Sequence, residues 1–142
     1  MGIFKDTITI YNHRPDDSYQ RTVLRGVMYT RKAEKTVTAD GKLKFESAVT
    51  VTIPETVVTA PEMRIYVPPE RFRQLDDAAE DYWTLDPAGN LDVIVPGACG
   101  AEISEDYRLK DLKKDHPYAT VAAVSDNRGR NRLKHIRVKC NG

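Results

Sequence analysis

Residues 118–139 read YATVAAVSDNRGRNRLKHIRVK, and this stretch decides the fold class. Apolar and β-branched residues lie on both sides of residues 126–132, a segment rich in Asn, Asp, Gly and Arg. Because Asn and Gly tolerate the positive φ angles of tight connections, the pattern predicts a closing β-hairpin with strands at 118–125 and 133–139. In the second strand the alternation puts apolar and polar side chains on opposite faces: Ile136 and Val138 against Leu133, His135, Arg137 and Lys139.

The chain before this hairpin carries the same strand signatures. Period-two alternation or β-branched enrichment predicts four further strands, at residues 7–11, 20–29, 43–53 and 64–67. Gly26, in the middle of the second of these, predicts a β-bulge or the close approach of another backbone. The segment 31–42 is rich in basic residues and poor in large apolar ones, and it predicts an exposed hairpin arm or a mobile loop.

Helical patterns occur only in short pieces of the chain. Pro68-Pro69 followed by Glu70 predicts one or two helical turns over 68–75. Ser104 is expected to cap a second short helix that ends at His116-Pro117, with Leu109 and Leu112 facing the core.

Residues 82–85 and 91–95 predict a further hairpin across the turn-forming residues 86–90. The whole pattern is mainly β: a small β-barrel or sandwich of about six to eight short antiparallel strands with one or two short helices. A length of 142 residues fits a single β domain over 1–142.

The charge is balanced overall but segregated along the chain. There are 22 Lys and Arg against 21 Asp and Glu, for a net charge of +1. Residues 70–106 contain 2 basic and 10 acidic residues, and residues 107–142 contain 10 basic and 3 acidic ones. The near-neutral total therefore hides an acidic middle and a basic end. The apolar runs are too short for a membrane-spanning helix, and the first residues lack the pattern of a signal peptide.

The candidate contact residues fall into three charged groups. The basic end offers six cations without an intervening acid: Arg128, Arg130, Arg132, Lys134, Arg137 and Lys139. They predict contact with nucleic-acid phosphates or, since no base-reading motif accompanies them, with an acidic protein partner. The acidic stretch contains Asp76, Asp77, Glu80 and Asp81. It lacks the spacing of a calcium loop, which favours a solvated loop or a surface that pairs with a neighbour's basic patch. The arm adds Arg31, Lys32 and Lys35.

The sequence offers no recognisable catalytic constellation. His13, His116 and His135 do not have the spacing of a metal site, and no nucleotide-binding or serine-hydrolase motif is present. Cys99 and Cys140 fit free thiols in a reducing cytoplasm, and the acidic neighbourhood of Cys99 argues against a reactive nucleophile. We therefore expect a protein that is not an enzyme and needs neither cofactor nor metal.

Several elements in succession resemble a family of small virion proteins of tailed bacteriophages and prophages, called minor capsid or head-tail joining proteins. The matching elements are residues 6–12, 19–27, 66–72, 82–85, 92–97, 124–128 and 133–138. The resemblance implies a stopper or head-completion subunit made in the host bacterial cytoplasm and located in the virion neck. It also implies a ring of roughly six or twelve copies that contacts portal or adaptor proteins, tail proteins and, without sequence specificity, the genomic DNA in the channel.

The segregated charge adds a physical prediction to this resemblance. The basic end of one copy is expected to lie near the acidic stretch of the next, because a head-to-tail contact that closes produces a ring. If the two segments instead face each other within one chain, this argument fails. The alternatives are a nucleic-acid-binding β-barrel module, or a tail terminator, minor capsid or decoration protein.

Overall fold

The fold is mainly β and is built around a barrel. The computed structural model describes residues 4–61, 63–129 and 134–141. Its strands are β1 (Asp6–His13), β2 (Tyr19–Val37), β3 (Leu43–Pro54), β4 (Val58–Ala60), β5 (Ile65–Tyr66), β6 (Tyr82–Trp83), β7 (Val93–Pro96), β8 (Ala119–Asp126) and β9 (His135–Asn141). Its helices are α1 (Pro69–Phe72) and α2 (Leu109–Asp115), with 3₁₀ turns at Asp76–Asp81 and Ala88–Asn90.

Six strands close the barrel in the order β1-β7-β8-β9-β3-β2, with β2 pairing back onto β1. Every pairing around this ring is antiparallel. The predicted, mainly β fold class is confirmed. Of the two architectures predicted, barrel and sandwich, the barrel is the one observed. The predicted closing hairpin is confirmed as β8 and β9.

Strand β2 is the longest element, with 19 residues, and it pairs differently along its length. Its first half lies between β1 and β4, and its second half pairs with β3. The register with β1 shifts at Gly26, which has a φ of 87° and bulges between Arg25 and Val27. The predicted bulge is confirmed. The predicted strand end at Tyr29 is wrong, because pairing with β3 carries β2 on to Val37.

The predicted hairpin between residues 82–85 and 91–95 is wrong. Strand β6 pairs in parallel with β5, whereas β7 pairs with β1 on one edge and with β8 on the other. Both hydrogen-bonding edges of β7 are therefore occupied, and none is left for β6.

The second helix begins later than predicted. Ser104 accepts the N–H groups of Asp106 and Tyr107 at 3.3 Å in a turn before the helix. The N-cap of α2 is Arg108, whose backbone N–H donates to the Asp111 carboxylate at 2.9 Å. Helix α2 ends at His116 as predicted, and Leu112 is fully buried. The acidic segment predicted as a loop is a 3₁₀ helix.

The core has two parts, one on each side of the barrel wall. The barrel interior holds the larger cluster, which includes Trp83, Ile10, Val51 and Val138. A second cluster outside β1 and β7 is covered by α2 and the preceding loop; it contains Tyr11, Val93, Val95, Cys99 and Leu112. Among the described residues, neither helix is long and apolar enough to cross a lipid bilayer.

Candidate assembly surfaces

The outer face of β9 is basic. Ile136, Val138 and Cys140 point into the barrel and are almost fully buried, so the alternating Arg137 and Lys139 are exposed outside. The cross-strand neighbours on this face are small and uncharged: Thr52 and Ser125 beside Arg137, and Thr50 and Ala123 beside Lys139. Within the described part of the chain, no ion pair involves either cation. This basic outer face is therefore available to a partner.

Arg128, which follows β8, is instead held within the chain. Its guanidinium donates two hydrogen bonds of 2.8 Å to the Asp126 carboxylate and lies 4.8 Å from the centre of the Tyr66 ring. Hydrogen bonding to Arg128 lowers the pKa of Asp126. Much of the charge of Arg128 is thus satisfied locally. Lys134 is exposed, and Arg130 and Arg132 lie outside the described residues.

The acidic segment is anchored by a half-buried arginine. Arg64 Nε donates to the carbonyl of Glu80 at 2.8 Å, and its Nη1 donates to the carbonyl of Arg21 and the hydroxyl of Thr22. The carboxylates of Glu80 and Asp81 remain exposed. Asp76 and Asp77 form the first turn of the same 3₁₀ helix.

The acidic segment and the basic end do not neutralise each other where the structure describes their side chains. Ion pairs between described residues include Arg21–Glu102, Arg73–Asp86 and Arg128–Asp126, and His13 Nε2 lies 3.0 Å from the Asp17 carboxylate. None of these joins the two segments. The prediction that they meet between copies stays a prediction.

The segment predicted as an arm lies in the outer part of the β2–β3 hairpin. Strand β9 supports β3 only as far as Ala48, which pairs with Asn141. Beyond that point β2 and β3 pair only with each other among the described residues, from Ala33 opposite Ser47 to Val37 opposite Leu43. We call residues 33–47 the outer ribbon.

The described side chains of the outer ribbon are exposed, apart from that of Thr38, which is half-buried. The basic residues Arg31, Lys32 and Lys35 are all exposed. At the end of the ribbon, Val37 is 69% and Leu43 is 56% exposed, which is unusual for a facing pair of large apolar side chains.

A polar network that was not predicted from the sequence lies at the C-terminal end of β1. The Asp92 carboxylate is 1% exposed and accepts hydrogen bonds of 2.9 Å from Asn12 Nδ2 and from the backbone N–H groups of His13 and Asp86. Asn12 also donates to the carbonyl of Thr84 at 2.6 Å. The network joins β1, the end of β6 and the start of β7. A single acid before the apolar run of residues 93–95 was the signal that could have revealed it.

The two cysteines are free thiols, as predicted, and both are buried. Cys99 Sγ lies 3.2 Å from the Tyr11 hydroxyl and 3.8 Å from His116 Nε2, because α2 ends above the loop that carries Cys99. The Tyr11 hydroxyl donates to the carbonyl of Ala101 at 2.7 Å, which ties this loop to β1. The loop thereby covers the outer core, and Cys99 packs within it.

The described residues contain no group of three or more His, Cys, Asp and Glu side chains that could hold a metal ion. No curated protein and no solved structure matches the chain. Residues 3–141 match the model of DUF6751, described as a family of unknown function. The match spans nearly the whole chain, which therefore belongs to the DUF6751 family.

Proposed function

We propose that this protein is a non-enzymatic structural subunit of a tailed-bacteriophage particle. In this proposal it forms a ring in the neck between portal and tail, as a stopper or head-completion protein. The sequence resemblance to head-tail joining proteins supports it. The observation that carries it is structural: a closed barrel that leaves a two-stranded ribbon, ending in exposed Val37 and Leu43, with which no further strand of the described residues pairs.

The distribution of charge favours a ring over a two-fold dimer. Arg137 and Lys139 lie on β9, whereas Glu80 and Asp81 lie between β5 and β6. These surfaces belong to different elements and have opposite charge, so each is complementary to the other and not to itself. A contact of this kind runs head to tail and, when the rotation closes, gives a ring.

Particles of the phage that encodes the protein provide the test. We expect the protein in purified virions, and we expect deletion of its gene to yield filled or emptied heads separated from tails. Absence of the protein from particles, or normal head-tail joining without it, would refute the proposal. A position on the head surface or within the tail would instead support the minor capsid, decoration or tail-terminator alternatives.

A second candidate is a nucleic-acid-binding barrel that acts on its own. It is favoured by Arg137 and Lys139, which form no ion pair with another described residue. Phosphate contacts release counterions, so the logarithm of the binding constant falls linearly with the logarithm of the salt concentration, by about 0.9 for each phosphate neutralised. The variant Arg137→Ala/Lys139→Ala is then expected to reduce this slope by about 2 for duplex DNA.

Arg128→Ala is the matched control for this measurement, because Arg128 is already paired with Asp126. Arg128→Ala is expected to change the salt dependence less than Arg137→Ala or Lys139→Ala does when each is made alone. Undetectable binding, or a slope that the double variant leaves unchanged, would remove this candidate.

A further inference from the structure

Four adjacent strands of the barrel share one outward face, and the register of their pairs fixes which residues belong to it. Strand β9 lies between β3 and β8, and β3 also pairs with β2. Residues that pair across antiparallel strands lie on the same side of a sheet, so the outward residues form rows. The first row is Met28, Thr52, Arg137 and Ser125, the second is Thr30, Thr50, Lys139 and Ala123, and the third is Lys32, Ala48, Asn141 and Thr120. We call these twelve residues the four-strand face.

The composition of the four-strand face differs from that of the whole chain. The face contains no acidic residue, although the chain has 21 acidic against 22 basic residues. Each of its residues is exposed or half-buried. Five carry a hydroxyl group, namely Thr30, Thr50, Thr52, Thr120 and Ser125. The next pair outward, Glu34 opposite Glu46 on the outer ribbon, marks the limit of the face. Within that limit the face offers hydroxyl donors and positive charge without a carboxylate.

Two of the three cations on the face supply its charge. Arg137 and Lys139 form no ion pair with another described residue, whereas Lys32 already interacts within the chain. The two are about 7 Å apart along β9, and Thr52 and Thr50 pair with them on β3. Each cation thus has a hydroxyl group on the neighbouring strand, and an anionic oxygen between them accepts from both.

The chemistry of this face fits the phosphate backbone of a nucleic acid. Arg, Lys, Ser, Thr and Asn side chains are the usual donors to phosphate oxygens, and these contacts need no base-reading motif. Strands about 4.8 Å apart and rows about 7 Å apart give a face about 14 Å in each direction, which is enough to meet several phosphates of a duplex. The face has no aromatic side chain on which an unpaired base could stack, which favours a duplex over a single strand.

We propose that the four-strand face binds the phosphate backbone of double-stranded nucleic acid, without reading its sequence, through Arg137, Lys139 and the hydroxyl groups beside them. The inference goes beyond the proposed ring and gives the second candidate function a defined site. In the ring, Glu80 and Asp81 of the next copy would compete with phosphates for the same two cations. Duplex and neighbour are therefore expected to exclude each other on this face.

Fluorescence anisotropy of a short labelled duplex of mixed sequence, titrated with the full chain at several salt concentrations, tests the site. Thr50→Val/Thr52→Val keeps the shape of both side chains and removes their hydroxyl groups. It is expected to weaken binding about threefold to tenfold and to leave the salt dependence unchanged, because no charge is lost. Thr56→Val, at an exposed threonine outside the face, is the matched control and is expected to bind like the wild type.

A negative charge introduced into the face gives an independent test. Ala123→Asp places a carboxylate opposite Lys139 and is expected to weaken duplex binding about tenfold or more. Ala98→Asp adds the same charge at an exposed residue outside the face and is expected to have a much smaller effect. Fluorescence of Trp83, the single tryptophan, shows for each variant that the barrel is folded.

The outcomes separate a nucleic-acid site from a contact between copies. Duplex binding that is absent at low salt, or that neither Thr50→Val/Thr52→Val nor Ala123→Asp weakens, would overturn the proposal. Variants that bind the duplex normally but lose self-association in sedimentation velocity would also overturn it and would identify the face as a contact between copies. Because these measurements use the isolated chain, each of these results leaves the neck role to be decided in virions.

Discussion

The stability of the protein is expected to depend on pH through the buried carboxylate of Asp92. Two opposing effects on the pKa of this group set the direction of the dependence. Burial raises its pKa from 3.8 to about 6, although three N–H donors to the carboxylate act to lower it. In the unfolded chain the group is expected to titrate at its ordinary value. Between those two pKa values the folded state binds the proton more tightly, so acidification stabilises the protein through this residue.

The size of the effect follows from the shift. A difference of about two pKa units, at 1.36 kcal/mol each, gives about 3 kcal/mol. This contribution is fully present below the unfolded pKa and is lost as the pH rises through about 6. At pH 4, where the unfolded state is still partly ionised, we expect about 2 kcal/mol relative to pH 7.5.

The substitution Asp92→Asn isolates this contribution, because it keeps the shape of the side chain and removes its titration. The amide also turns a donor toward one of the three N–H groups, so the variant is expected to be less stable at every pH, by about 1–3 kcal/mol at neutral pH. Other titrating groups largely cancel in the difference between wild type and variant. That difference is expected to be about 2 kcal/mol larger at pH 4 than at pH 7.5.

Urea unfolding followed by Trp83 fluorescence measures both proteins at each pH, and equal m-values show that the comparison is valid. A difference in stability that does not change with pH would show that the pKa of Asp92 is not raised. A difference larger at pH 7.5 would show that the three donors outweigh burial and lower the pKa.

Three further predictions concern stability and reactivity. Gly26→Val forces a β-branched residue to a φ of 87° and is expected to lower the free energy of unfolding by about 1–2 kcal/mol. Gly100→Ala adds its methyl group in open space and is expected to change stability little. Equal urea midpoints for the two variants would contradict this. Leu112→Ala opens a cavity in the outer core and is expected to lower the free energy of unfolding by about 2–5 kcal/mol, whereas exposed Met63→Ala is expected to lower it by less than about 0.5 kcal/mol. Similar losses of melting temperature in both variants would be inconsistent with the packing. Burial raises the pKa of Cys140 to about 12, so thiol labelling at pH 8 is expected to be slow in the folded protein and fast in urea; rapid labelling of the folded chain would refute its burial.

Local patterns in the sequence were sufficient to predict the strands that have one apolar and one polar face. Alternation in β9 placed Arg137 and Lys139 outside and Val138 inside, because successive side chains of a strand point to opposite faces whatever the strand pairs with. Gly26 marked a bulge because its positive φ is unfavourable for other residues. The end of α2 followed from the proline after His116.

Long-range pairing could not be predicted in this way. Strands β6 and β7 are close in sequence and have hairpin-like residues between them, yet β7 pairs with β1 and β8. Which edges are occupied depends on barrel closure, and closure joins segments far apart in the chain. The start of α2 was missed for a different reason. Ser104 is a preferred cap residue, whereas the observed N-cap, Arg108, has a side chain without an acceptor, and the Asp111 carboxylate binds its backbone N–H instead.

The candidate surfaces were predictable in part. The exposure of Arg137 and Lys139 follows from alternation, and the spacing of Asp126 and Arg128 could have shown their ion pair. The exposure of Val58, Met63 and Ile65 has no such signature, since the three residues together follow neither a strand nor a helix period.

Cryo-electron microscopy of the intact particle is the most direct test of the central claim, that this barrel assembles head to tail into a ring at the neck. We predict a closed ring of this chain between portal and tail, in which the basic outer face of β9 on each copy lies near Glu80 and Asp81 of the next. A neck whose density contains no copy of this barrel, or copies that touch through other surfaces only, would contradict the account.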